Sequence, residues 1–342
     1  MSRLKSSKKR QKLAYLDVEN KGSVQIEKAL DTTSKRMLNE QRIIREGFQE
    51  RLDYKWKKPL DLLECVIQGS QEIGIEMYGK LVKNNVLTTK NFAILRIHAR
   101  ALLISNEILS LLRTGYADGA NARWRSLHEL AVIVLFLSKN NDDVSKRYLD
   151  HSIMKSYKDA KEYQECCKKL DYPRISRKQM NTMKKECEYI LNQYGDEFKY
   201  GQGYEWIPTS ILSDRNFRTL EKHVKLDKMR SFYSQAANSL HGGAKGFFSL
   251  GLMTGREKRW LIGASNWGLA DPLQNTAISL VHITNCLINL NPELDTVVLM
   301  PIFGEYVKKI GKTAVQVQKE IKKDEIKIAK LYKRSITSYQ NQ

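Results

Sequence analysis

Arginine, histidine and glutamate lie close together in one short stretch, RWRSLHE (Arg123–Glu129). On a helix, Arg125 shares a face with His128 three residues on and with Glu129 four residues on. Such a face could hold a phosphate and move a proton, because arginine binds phosphate oxygens and histidine titrates near neutral pH. Burying these groups is costly unless they are paired, so an internal ion pair covered by Trp124 is the alternative interpretation.

The spacing of Arg123 and His128 resembles the R-x4-H motif of HEPN-type ribonucleases, helical and often dimeric proteins, many of which are toxins or antiphage effectors. This resemblance implies RNA cleavage without a metal. The histidine would activate the 2′-hydroxyl or protonate the leaving oxygen, and the arginine would stabilise the phosphorane. A chain with this many arginines contains such a pair by chance, and Arg218 and His223 form a second one. The first pair, Arg123 and His128, is the stronger candidate because a strongly apolar helix follows it.

A second candidate site is the glycine-rich stretch NSLHGGAKGFF (238–248). Successive glycines such as Gly242 and Gly243 can turn their N–H groups toward an anion, and Lys245 adds a positive charge. His241 could act there as an acid, a base or a phosphate donor. The alternative is a helix C-cap, which explains one glycine but not three in five residues.

The turn SNWGLADP contributes two further candidates for nucleic-acid binding, Asn266 and Trp267. The tryptophan could stack on a base, or it could pack on the core or beneath a helix. Both interpretations stay open at this stage.

The sequence predicts neither a metal site nor a cofactor. His128, His151 and His241 could meet in space, but no close ligand pair such as H-x3-H occurs on one helix face. The five cysteines form no C-x-x-C pair, so neither a zinc site nor a disulfide framework is indicated. A reducing cytoplasm fits this cysteine usage, and no apolar segment typical of a secretory signal follows the basic start.

The elements that must position these residues are helices. Glycine and proline are scarce, at 19 and 6 residues, which disfavours a turn-rich β fold. Apolar spacing predicts an all-α multi-helix bundle of about eight to ten helices, with basic helical or flexible extensions at both ends. We expect a partly flexible basic extension at 1–50, a helical core at 51–295, and a basic C-terminal helix and tail at 296–342. A helix is expected to begin near Pro59, which suits a first turn.

The net charge of +20 predicts a polyanionic partner. Residues 1–60 carry 16 basic and 8 acidic side chains, and residues 301–342 carry 10 and 4, so the ends hold most of the excess. We expect nucleic acid as the partner, RNA in preference to DNA, and no membrane, with a second copy or a partner protein as further candidates. Lysine-rich solvated helices are the alternative explanation.

Three blocks of the sequence together resemble the bacterial family of unknown function DUF5677. They are ANARWRSLHELAVIVLFL (120–137), NSLHGGAKGFF and IGASNWGLADP (262–272), supported by WKKPLDLLE (56–64) and YEWIP (204–208). The resemblance covers roughly residues 50–290 and implies a fold more than a chemistry. Where the family has HANPKG-like sequence, this chain has HGGAKG, which keeps the histidine and the Lys-Gly pair but replaces a polar residue by glycine.

These observations predict an RNA-directed effector of toxin or phage-defence type. In one form it is a metal-independent ribonuclease with catalytic candidates Arg123, Arg125, His128, Glu129 and His241, with phosphate held by arginine and lysine. The alternative is a non-catalytic nucleic-acid-binding, scaffold or oligomerisation module, in which the same polar groups lock the bundle.

Overall fold

The structure, a computed structural model, describes residues 2–199, 201–238 and 262–340. Its described part is all-α, as predicted. The helices are α1 (Ser2–Lys83), α2 (Thr89–Arg113), α3 (Ala117–Lys139), α4 (Asp142–Cys166), α5 (Arg177–Tyr194), α6 (Phe217–His223), α7 (Arg230–Asn238), α8 (Ala270–Ile288), α9 (Leu294–Val297) and α10 (Leu299–Gln340). Short 3-10 turns occur at 167–170, 196–198 and 227–229.

The chain divides into two compact units, Met1–Tyr54 and Lys55–Gln342, with the boundary inside α1. The first unit is one continuous stretch of helix. It is rich in charged residues, and its exposed side chains include Ile43 and Ile44. Pro59 lies inside α1 instead of in a first turn, which corrects the predicted helix start. A proline removes one helical hydrogen bond, and here the helix continues through it.

The core of the second unit is built on α2, α3 and α8, which pack against one another. The apolar run of α3 explains its central position, since α3 also contacts α6 and α7 and has buried residues along its length. Helix α4 packs on α2 and on α5, and α10 packs on α8. The C-terminal helix, α10, buries Phe303, Ile310 and Ala314, so its basic surface accompanies an apolar face.

Local capping signals explain where several helices begin. The Asn141 side chain accepts a hydrogen bond from Val144 N at the start of α4, at 3.2 Å. Ser176 and Gln179 form a capping box at the start of α5. No described helix has both the length and the apolar character that a membrane span requires.

Candidate functional site

His128 lies in the interior of the second unit, with 1% of its surface exposed. Helix α3 points it toward α6 and α7, where aromatic rings surround it. Its ring centroid lies 5.3 Å from that of Trp124, 6.0 Å from that of Phe217 and 5.8 Å from that of Tyr233. Trp124 is itself fixed, because its Nε1 donates to the Asn275 carbonyl at 3.0 Å. The histidine therefore has a defined orientation and little contact with water.

A buried carboxylate pairs with His128. Its Nε2 lies 2.7 Å from Glu221 Oε1, and the glutamate is 0% exposed. Arg230 forms an ion pair with the other oxygen of the same carboxylate. Burial lowers the pKa of His128, and the hydrogen bond to Glu221 opposes that shift only in part. The imidazole is therefore neutral near pH 7 and donates its Nε2–H to Glu221, which leaves Nδ1 as an acceptor.

A second set of polar contacts lies on the more exposed side of the same rings. Arg125 Nε lies 3.5 Å from Glu129 Oε1, and its guanidinium stacks over the Tyr233 ring at 4.2 Å. The Tyr233 hydroxyl donates a hydrogen bond to Glu129. Burial, followed by that hydrogen bond, raises the pKa of Tyr233, so the phenol stays protonated at physiological pH. Burial, followed by the charge of Glu129, raises the pKa of Tyr204 as well.

Arg230 connects the two sets of contacts. Its guanidinium lies 5.3 Å from the ring centroid of Phe217 and 5.1 Å from that of Tyr233, while it holds Glu221. Side-chain exposure falls from 23% at Arg125 to 1% at His128, so the contacts run from the surface inward. We call this group the polar cluster, and its members are Arg125, His128, Glu129, Glu221, Arg230 and Tyr233.

The structure brings together three of the residues that the sequence singled out, Arg125, His128 and Glu129. Arg123 does not join them, because it forms an ion pair with Glu107 of α2. Residues five positions apart on a helix differ by about 140° in direction, so Arg123 and His128 leave α3 on different sides. The R-x4-H spacing therefore does not describe a shared site here, and the arginines near His128 are Arg125 and Arg230.

Trp267 and Asn266 lie in the turn before α8. The indole Nε1 of Trp267 donates to Glu325 of α10 at 2.6 Å, and its backbone N–H donates to Ser265 Oγ at 3.1 Å. No contact recorded in the described part of the chain joins this turn to the polar cluster. Packing beneath a helix is the role that these contacts support for Trp267.

His241, Gly242, Gly243 and Lys245 lie outside the described residues, so the predicted anion-binding loop stays a prediction. His151 lies in the second unit, with Nε2 3.3 Å from Glu205 Oε2. No group of three or more histidine, cysteine, aspartate or glutamate side chains placed to hold a metal occurs within the described ranges.

The sequence did not single out Glu221, Arg230 or Tyr233. Glu221 lies between Arg218 and His223, which the spacing of arginine and histidine did select. It partners His128 across 93 residues of sequence. A single glutamate in a short helix forms no motif, so only the fold could identify it. Tyr233 carries a weak signal, since it lies in the helix that precedes the glycine-rich stretch.

Comparison with known proteins gives a match over residues 91–257 to a family model described as a family of unknown function, DUF5677. The matched segment contains every member of the polar cluster, and it confirms the resemblance over this part of the chain. The description assigns no activity. No curated protein and no solved structure is similar enough to the chain to count as a match.

Proposed function

We propose that this chain, whose residues 91–257 belong to the DUF5677 family of unknown function, is an RNA-directed effector with the polar cluster as its working site. One observation carries the proposal. Three helices bring two arginines, a histidine and two carboxylates together along a path that runs inward from the surface. Burying His128 and Glu221 is costly, and a bundle does not need these two groups for packing, while Arg125, Glu129 and Arg230 stay partly exposed. A site that handles a charged substrate accounts for that cost.

The cluster can support cleavage of a phosphodiester by attack of the neighbouring 2′-hydroxyl. His128 is neutral, so its Nδ1 can take the proton of the 2′-hydroxyl as the oxygen bonds to phosphorus and can pass it to the leaving 5′-oxygen. Glu221 orients the ring and stabilises the imidazolium that forms in between. Arg125 and Arg230 offset the negative charge on the phosphorane. The products are a 2′,3′-cyclic phosphate and a 5′-hydroxyl.

This mechanism requires that the substrate can reach His128. Tyr233 packs on His128, and Arg125 stacks on Tyr233, so substrate reaches the histidine only when these two side chains move. Arg125 is a suitable first contact for a phosphate because it is partly exposed. An effector that must stay inactive until it is triggered would gain from such a covered site, which agrees with a role of toxin or phage-defence type.

A second candidate function rests on the burial of His128 and Glu221, at 1% and 0% exposure. In that case the pair locks α3 to α6, and the protein is a non-catalytic module that binds nucleic acid, a partner protein or a second copy. Buried polar pairs specify one packing arrangement in some proteins. In its nucleic-acid-binding form, the second candidate agrees with the first on RNA binding and differs on cleavage.

Replacing His128 separates the two candidates. We expect His128→Gln in the full chain to reduce RNA cleavage by at least about 100-fold, the lower end for loss of a general acid or base, while RNA binding is retained. The measurement is cleavage of a labelled single-stranded RNA, with a chelator present, alongside affinity by fluorescence anisotropy. His98→Gln is the matched control, because His98 is also buried but contacts Thr284 at 3.3 Å, away from the polar cluster.

Each outcome selects one candidate. Cleavage that is lost in His128→Gln but kept in His98→Gln supports the ribonuclease. Cleavage that is equally low in both variants, in proportion to lower melting temperatures, supports the structural role. Wild-type protein that binds RNA without cutting it also favours the non-catalytic module. If the wild-type chain binds neither RNA nor DNA at low salt, the ribonuclease and the nucleic-acid-binding module are both wrong, and only a scaffold or oligomerisation module remains.

A further inference from the structure

A cavity of about 330 Å³ opens between α2 and α4, and no member of the polar cluster lines it. Helix α2 contributes one wall, α4 the opposite wall, and the segment 203–206 closes one end. Cavities of this size hold small ligands. None of the described residues that line it is an aspartate or a glutamate. The cavity therefore has a chemical character of its own and needs a separate explanation.

Three basic side chains line the cavity, Arg96 and Arg100 of α2 and Lys155 of α4. The two arginines are four residues apart, so they lie on one face of the helix and repel each other. Lys155 pairs with Asp159, which leaves the arginines as the main positive charge. Within the described ranges neither arginine forms an ion pair with a carboxylate. An anion placed between them would relieve the repulsion and could accept hydrogen bonds from both guanidinium groups.

The rest of the cavity is apolar and aromatic. Ile97, Tyr148 and Trp206 contribute to it, and the rings of the last two meet edge to face at 5.0 Å. One side of the cavity is charged and the rest is apolar, so an inorganic anion alone would use only part of it. This combination favours a ligand that carries a phosphate on a flat, weakly polar group. Ser152 and His151, on α4, add polar groups beside the apolar wall.

The segment that closes the cavity is held in place by hydrogen bonds. Arg147 Nε donates to the Trp206 carbonyl at 2.9 Å, and Arg215 Nη1 donates to the Glu205 carbonyl at 3.1 Å. The Glu205 carboxylate accepts from the backbone N–H groups of Gln202 and Gly203, at 2.6 and 2.9 Å. The Glu205 carboxylate therefore faces these amides and lies 3.3 Å from His151 Nε2, and it is not one of the side chains that line the cavity. The cavity is preformed, which lowers the cost of binding.

We propose that this cavity binds a nucleoside monophosphate, with the phosphate on Arg96 and Arg100 and the base against Ile97, Tyr148 and Trp206. The inference goes beyond the proposed function, because the two sites share no residue and either can exist without the other. The same chemistry is available from a free nucleotide and from the 5′-phosphorylated end of an RNA. The experiment therefore includes both sources.

The test is isothermal titration of the full chain with adenosine monophosphate, adenosine, inorganic phosphate and a 5′-phosphorylated RNA dinucleotide. We expect the monophosphate to bind at least about tenfold more tightly than adenosine or phosphate, because only the nucleotide uses both parts of the cavity. Arg96→Gln together with Arg100→Gln should lower that affinity at least about tenfold, since charge-assisted contacts are lost. Tighter binding of the dinucleotide than of the monophosphate identifies an RNA end as the source.

Arg174→Gln together with Arg177→Gln is the matched control. It removes the same charge from two exposed arginines that do not line the cavity, and it should change the affinity less than twofold. The proposal is wrong if adenosine binds as tightly as its monophosphate, or if the two double variants lose affinity equally. It is also wrong if no nucleotide binds at millimolar concentration. Circular dichroism and thermal melts check that both variants are folded, and RNA cleavage by His128→Gln remains an independent readout of the proposed function.

Discussion

At the scale of single residues, burial sets the chemistry of the histidines more than neighbouring charge does. His128, His151 and His98 are all buried, and burial is the largest cause of the lowered pKa of each. The first two also face glutamates, which oppose the shift, whereas His98 has the Thr284 hydroxyl as its polar contact within the described residues. The three therefore form a series in which carboxylate pairing is present or absent at similar burial.

His98 gives the clearest prediction of this series. Burial lowers its pKa from 6.5 to about 4. Between these values the unfolded chain binds a proton that the folded chain does not, so the free energy of unfolding falls as the pH falls. The free energy of unfolding therefore has its full value, as far as His98 is concerned, above pH 6.5, and it decreases as the pH falls toward 4. The decrease corresponds to about 3 kcal/mol.

We therefore expect urea unfolding to show a weaker pH dependence in His98→Gln than in the wild type between pH 6.5 and 4. Above pH 7 the two curves should run parallel, because neither side chain is charged there. Equal slopes over the lower range would mean that His98 is protonated in the folded chain.

At the scale of helices, the sequence predicted those features that depend on the local pattern of residues. The apolar spacing of α2 and α3 was sufficient to place those helices. Pro59 was misleading, because a proline marks a first turn by preference but a long helix can continue through it. The polar cluster was predicted only for its members on α3. Glu221 and Arg230 reach it through contacts across α6 and α7, and no local pattern encodes those.

The next prediction concerns two glycines of α1 that differ in how closely other residues pack against them. A Cβ at Gly74 would lie 2.8 Å from His98 Cε1, a buried ring that cannot move aside, whereas at Gly79 nothing lies within 4 Å. Alanine favours a helix over glycine by about 1 kcal/mol. Gly79→Ala should therefore stabilise the protein by up to about 1 kcal/mol. Gly74→Ala should destabilise it by about 1 kcal/mol or more, because overpacking outweighs the helical preference.

Guanidinium unfolding of the two variants and the wild type, under one buffer condition, compares these effects. Stabilisation by both substitutions would show that α1 and α2 are not in close contact at His98. Destabilisation by both would point to a need for flexible backbone along α1.

At the scale of the whole molecule, charge and site are separated along the chain. The excess positive charge lies mainly near the two ends, while the polar cluster and the cavity lie between residues 91 and 257. A basic segment attracts any polyanion without reading its sequence, whereas the polar cluster offers a polyanion only the partly exposed charges of Arg125 and Arg230. We expect the ends to supply affinity for RNA and the middle to act on what is bound.

This separation predicts a difference in salt dependence. Replacing Lys5, Lys8, Lys9, Arg10 and Lys12 by glutamine removes five charges from the first unit without shortening it. The slope of log affinity against log salt for single-stranded RNA should then flatten by about 0.7 for each of these charges that contacts a phosphate. Fluorescence anisotropy between about 50 and 200 mM salt measures the slope.

The control for this prediction removes five charges from α5 and the turn before it, by glutamine at Arg174, Arg177, Lys178, Lys184 and Lys185. Its net charge equals that of the first variant, so any difference in slope reports the position of the charges. A flattened slope in the first variant alone places RNA contacts at the N-terminal end. Equal flattening in both would mean that RNA responds to the overall field of the protein. RNA would then not bind preferentially at the N-terminal unit, and the residues of the polar cluster would have to bind the substrate without a contribution from that unit.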